Sequence, residues 1–140
     1  MTDLVHGGDA TPLGSLPLGD SPDRGDVRRW VRSTCSRLDV HTLVDVLLVT
    51  TELVDNAYRH TGSPSELRLS RSGLGILVEV ADGDEHHPAE FPRSDQALAG
   101  RGVQVMVELA TSWGVRVEGA GKVVWAVLPV VEPEPVPRSG

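Results

Sequence analysis

The run Glu52-Leu53-Val54-Asp55-Asn56-Ala57-Tyr58-Arg59-His60 decides how this chain is read. It closes a longer segment in which Leu43, Val46, Leu47, Thr50, Leu53, Val54 and Ala57 recur at the spacing of a helix buried along one stripe. The helix is expected from about Val40 to His60, stopped by Thr61-Gly62-Ser63-Pro64. Residues four and seven apart line up on a helix, so Glu52, Asn56 and Arg59 share a stripe. Together they offer a proton acceptor, a metal-binding oxygen and a phosphate-binding cation. The plain alternative is a polar helix face whose charges are only solvated, and spacing alone leaves both open.

Upstream, Val27, Trp30, Val31, Thr34 and Leu38 repeat at helical spacing, with Asp23 or Ser21 as the cap. Residues 1 to 24 hold scattered glycines and prolines and read as a flexible leader, with an edge strand around Leu13 to Leu18. Downstream, Glu66 to Arg71 alternates, Ser72-Gly73 and Gly75 turn, and Gly75 to Ala81 carries Ile76, Val78 and Val80 on one face, a hairpin. Residues 83 to 99 read as a polar loop. Gly100-Arg101-Gly102 opens a third helix with Val103, Met106, Val107 and Ala110 inward, ended by Trp113-Gly114. Val115 to Glu118 and Lys122 to Leu128 are two more strands around Gly119-Ala120-Gly121. Residues 130 to 140, with prolines among acids, read as a disordered tail. The folded part is therefore expected over 25 to 129. Its fold class is an α/β (α+β) two-layer sandwich, a mostly antiparallel sheet covered on one face by helices.

Composition narrows the functions. The chain has 140 residues, 39% of them hydrophobic, enough for one domain with a real core. No apolar stretch approaches a bilayer span, and Met1 to Asp9 has no signal-peptide hydrophobic region. The one cysteine, Cys35, excludes an internal disulfide framework and fits a reducing cytoplasm. A net charge of −7 argues against direct nucleic-acid binding, which needs Lys and Arg to neutralise phosphates. It leaves room for a small nucleotide site built from local donors.

Three groups of residues carry the chemistry. Asn56 can give a side-chain oxygen to a magnesium ion that bridges nucleotide phosphates. Glu52, one turn earlier, can orient a nucleophile and accept its proton, and Arg59 can neutralise phosphate charge. Asp82, before Gly83 at a strand end, can accept a hydrogen bond from the amino group of adenine, although Asp-Gly also serves as an ordinary turn. Gly100, Arg101 and Gly102 before a helix can bring backbone amides close to phosphate. Neither a Walker A pattern nor Gly-x-Gly-x-x-Gly is present. His86-His87 on a loop is not read as a metal site, and Trp30, Trp113 and Trp125 are expected as core anchors.

The order of these motifs adds what each lacks alone. Glu-Leu-Val-Asp-Asn-Ala at 52–57, Val-Ala-Asp at 80–82, Gly-Arg-Gly-Val at 100–103, Ala-Thr-Ser-Trp-Gly-Val at 110–115 and Gly-Lys-Val-Val-Trp-Ala at 121–126 resemble a known family. It is the small ATP-binding regulators of actinobacteria, related to anti-sigma-factor serine/threonine kinases and to the ATPase domain of histidine kinases. The resemblance implies the Bergerat ATP-binding fold, with ATP and Mg2+ held between helices and a mixed sheet. It makes Glu52 the catalytic carboxylate, Asn56 the magnesium ligand and Asp82 the adenine reader. Gly83, Gly100, Arg101, Gly102 and Val103 would approach the nucleotide, Arg59 would assist, and residues 83 to 99 would form the lid. The chain departs from the family in lacking the second lid-side glycine. It also carries Val123 where many members have a threonine that helps to bind adenine.

The expected function is that of a cytoplasmic regulator which phosphorylates a Ser or Thr on an anti-sigma-factor antagonist and so switches partners with a sigma factor. The alternative is an ATP-binding accessory or scaffold that transfers nothing. A third reading, an ATP-independent anti-sigma protein with a decayed pocket, sits poorly with intact Glu52 and Asn56. Relatives often dimerise, so a homodimer is compatible with the resemblance.

Overall fold

The computed structural model describes residues 10–19, 23–60, 64–73, 75–82, 101–119 and 121–130. Among them run, in chain order, β1 (Ala10–Pro17), α1 (Arg24–Thr34), α2 (Val40–His60), β2 (Pro64–Ser72), β3 (Gly75–Asp82), α3 (Arg101–Leu109), β4 (Ser112–Glu118) and β5 (Gly121–Pro129). The strands form one five-stranded sheet in the order β1-β2-β3-β5-β4. The mixed sheet implied by the resemblance is antiparallel at every strand pair. Each hairpin joins neighbours directly, and β3 and β5 also run in opposite directions. Residues 83–99 and 131–140, expected as a lid and a tail, lie outside the described residues.

Local chemistry sets the element ends. Asp23 is extended (φ −94°, ψ 111°) and its carboxylate accepts from the Gly25 and Asp26 amides at 2.8 and 3.3 Å, capping α1. Asp39 does the same for α2, accepting from the His41 amide at 2.9 Å. Gly73 and Gly119 adopt positive φ, 56° and 60°, where β2 turns into β3 and β4 into β5. The expected edge strand is β1, on the rim beyond β2, where Pro12 and Pro17 are tolerated and the register shifts between Pro12 and Gly14.

The helices share one face of the sheet. Trp30 and Thr34 of α1 lie over Gly14 of β1. The long α2 crosses β2, β3 and β5, and α3 packs on α2 and β4. The core between the layers joins Val31, Val46, Val49, Leu53 and Met106 to Leu67, Leu69, Ile76, Val78, Val80, Ala126 and Leu128. Val49 joins the expected stripe of α2, whereas Leu43 and Leu47 are only partly buried.

Two sequence expectations fail at α3. The helix ends at Leu109, and Trp113-Gly114 belong to β4. The Ala110 amide still closes a helical bond to Met106 O, at 2.8 Å, but the Thr111 amide bonds instead to Val127 O of β5, at 2.8 Å, so the chain has already joined the sheet. Val107, expected inward, is 47% exposed, and Val105, Met106, Leu109 and Ala110 face the core. The two stripes are equally apolar in sequence. Contact with α2 and the sheet selects between them.

The other face of the sheet carries charge in place of helices. In antiparallel strands, paired residues share a face. One row there is Ser15, Arg68, Glu79, Trp125 and Gly114, and the next holds Ala81, Val123 and Arg116. Trp125 is therefore a half-exposed residue of this open face, while Trp30 and Trp113 pack on the core. Its ring lies over Gly114, where an added Cβ would sit 3.0 Å from the indole.

On this face the buried Glu79 binds both Arg116 and Arg68 (3.8 Å to Arg68), and Glu118 accepts from Arg68 at 2.9 Å and from Arg116 at 3.0 Å. Burial alone would raise the Glu118 carboxyl. Hydrogen bonds from Arg116 and Arg68, with their charges, outweigh it and hold the group below the usual 4.5. A carboxyl lowered on folding stabilises the protein fully above its unfolded value and loses that contribution as pH falls through the folded value. Glu118→Gln is therefore expected to lower the melting temperature modestly at pH 7, because the side chain is half-exposed. The gap should close as pH drops below about 4.5. A melting series from pH 7 to pH 3 reads this, and a constant gap would contradict it.

Candidate functional site

The Glu52 to His60 run forms the last turns of α2, as its pattern requires. Its side chains divide between two edges of the helix. Thr51, Val54 and Asp55 face α1, where they line a small cavity with Arg24 and Val27, and Asp55 binds Arg24 at 3.0 Å. Asn56 and Glu52 lie round the helix on the side away from α1, toward α3. Asn56 is only 6% exposed, and Glu52 is half-buried.

Arg59 falls on the stripe of Glu52 and Asn56 but works elsewhere. It is exposed and lines an open depression of about 390 Å³ with Arg24, Asp55 and Tyr58. The structure thus groups Arg59 with the α1 edge. A shared stripe fixes where the Cα atoms lie, and a long arginine can still lean to either side.

Asp82 is the last residue of β3 and is 6% exposed. By register it shares the helix-side face with Val80 and pairs with Pro64 on one side and Lys122 on the other. Pro64 begins the strand that follows α2, so Asp82 and the Asn56 end of α2 lie at the same end of the molecule. Lys122 is the residue that sequence reading missed. It stands directly opposite Asp82, on the same face, where a cation can act on that carboxylate or on an anion beside it. The only trace in sequence is its position at the start of a strand that pairs with β3.

Val123 lies on the face of the sheet opposite that of Asp82. It is fully buried on the open face of the sheet, in register with Ala81 and Arg116, one residue out of phase with Asp82. A threonine there would face the open side of the sheet and not the helix side. Lys122 and Val124 are the residues of β5 that share the face of Asp82.

Arg101, Gly102 and Val103 form the first turn of α3, where helical amides lack intrahelical acceptors. Gly83 and Gly100 lie outside the described residues. So do the His86-His87 pair and the lid expected over 83–99. Cys35 is buried, which pushes its thiol up to about 11 and keeps it protonated and unreactive.

Among the described residues no three His, Cys, Asp or Glu side chains gather as a metal site, and the Asn56 side chain is buried. A single protein oxygen is what magnesium takes when phosphates and waters complete its shell. Among the described residues no helix is long and apolar enough to cross a membrane. Compared with protein-family models and with curated proteins, the chain gives no match.

Proposed function

We propose that this chain is an ATP-binding regulator of the Bergerat fold that phosphorylates a Ser or Thr of an anti-sigma-factor antagonist. The observation that carries the reading is the pairing of two buried polar side chains, Asn56 and Asp82, at one end of the helix–sheet sandwich. Buried carboxamide and carboxylate groups at one end of a helix–sheet sandwich are the polar groups that would fix the orientation of a small ligand there, and a nucleotide with its cation offers both a partner. Asn56 would hold Mg2+, Asp82 would take the adenine amino hydrogen, and the first turn of α3 would offer amides to phosphate. Magnesium held by Asn56 would supply charge neutralisation at the phosphates.

Glu52 lies one turn from Asn56 and would act as the general base. In transfer, the antagonist hydroxyl oxygen forms a bond to the γ-phosphorus and the bond to the β-phosphate bridge oxygen breaks. ADP leaves, and the hydroxyl proton passes to the Glu52 carboxylate. Loss of the phosphate-free antagonist would then leave a sigma factor as the competing partner. The test is labelled ATP with magnesium and an antagonist of the sulfate-transporter/anti-sigma-antagonist fold. Glu52→Ala is expected to keep ATP binding and to lose transfer by about 100-fold or more. ATP binding by the wild type without any transfer would support the accessory or scaffold reading instead.

A further inference from the structure

We infer that the solvent side of the α1–α2 pair is a docking groove for an acidic amphipathic helix of a partner protein. On α2, Val40, Val44 and Leu48 are 63, 47 and 46% exposed. They recur every four residues, so an apolar row about 12 Å long faces outward from a helix whose opposite side is core. On α1, Arg24, Arg28 and Arg32 recur at the same interval. The short link between Thr34 and Val40 and the Arg24–Asp55 ion pair at 3.0 Å make the helices antiparallel neighbours. At 100° per residue, the arginine row lies on the edge of α1 next to α2, and Val44 and Leu48 lie on the solvent edge of α2 next to α1. The two rows therefore form the two banks of one groove. At its Arg24 end it opens into the depression of about 390 Å³ that Arg59 also lines.

The charge selects the partner. Arg28 and Arg32 are exposed and have no ion-pair partner among the described residues. They lie on a chain whose net charge is −7. Concentrating unpaired cations on one helix of an acidic protein gives an attractive field for carboxylates at that face alone. The four-residue repeat of the apolar row is the spacing at which a second helix presents its own apolar side chains. An anionic membrane fits less well, since the row lacks the aromatic residues that anchor interfacial helices. The inference does not depend on what the Asn56 and Asp82 end binds.

The full-length protein, without nucleotide, is titrated against a labelled synthetic helical peptide with leucines on one face and glutamates beside them, read by fluorescence anisotropy. The wild type is expected to bind it and to bind a scrambled peptide of the same composition on the order of tenfold more weakly. Arg28→Glu with Arg32→Glu, and separately Leu48→Asp, should each weaken binding on the order of tenfold. All three side chains are exposed, so circular dichroism should stay unchanged, and alanine at the same positions gives a milder series. A peptide with lysines in place of glutamates should recover affinity for the Arg28→Glu/Arg32→Glu variant. Equal binding by wild type and variants, equal binding of the scrambled peptide, or tighter binding to phosphatidylserine vesicles or duplex DNA would overturn the proposal.

Discussion

Glu79→Gln is expected to lower the stability of this domain by about 2–3 kcal/mol at pH 7. Glu79 is buried on the open face of the sheet, between Arg68 and Arg116. Removing its charge leaves two guanidinium groups facing one another across the central strand. Taking one partner out of a fully buried ion pair costs about 3–5 kcal/mol. The figure is smaller here because the arginine side chains keep 27 and 24% of their surface and Glu118 still contacts both. Arg68 Nε and Arg116 Nη1 are already buried without a hydrogen bond, so the network has no spare acceptor among the described residues to take over. Urea denaturation reads the loss as a lower midpoint at unchanged slope. A midpoint within about 0.5 kcal/mol of wild type would show that this cluster contributes nothing to holding the sheet.

Asn56→Ala is expected to weaken ATP binding in the presence of magnesium by about 10- to 100-fold, the loss of one interaction with a charged group. The carboxamide is buried at the edge of α2, so circular dichroism and thermal melting of the variant accompany the titration to separate lost binding from lost fold. The difference between variant and wild type should shrink when magnesium is withdrawn, because the lost contact runs through the cation. Calorimetric titration with and without magnesium measures both. An Asn56→Ala protein that binds magnesium–ATP as tightly as wild type would remove the metal role from this residue.

Most of the fold was legible because strong periodicities and turn residues agree. The helix from Val40 to His60, the hairpin about Gly73 and the strand pair about Gly119 each combine an unambiguous repeat with a residue that can turn. What sequence could not supply was the choice between equivalent patterns. Val107 and Val105 are both valine, and only contact with α2 and the sheet turns one inward. The end of α3 was misplaced because its decisive bond, Thr111 N to Val127 O at 2.8 Å, joins residues sixteen apart.

The candidate site divides in the same way. Glu52, Asn56 and Asp82 could be picked out locally, from helix spacing and a strand end. Lys122 could not, because its relation to Asp82 exists only in the β3–β5 register. The same register puts Val123 on the face of the sheet opposite that of Asp82. Arg59 shared a stripe with Asn56 on paper, but its long side chain lines the α1 edge.

The central claim is that the Asn56 and Asp82 end of the sandwich binds an adenine nucleotide, and nucleotide preference tests it most directly. On this reading Asp82 would accept a hydrogen from the amino group of adenine and would repel the carbonyl oxygen that guanine presents there. Titration calorimetry of the wild-type protein with magnesium–ATP and magnesium–GTP should show saturable ATP binding, with GTP weaker by at least about tenfold. Absence of ATP binding by the folded protein, or equal affinity for the two nucleotides, would contradict the account.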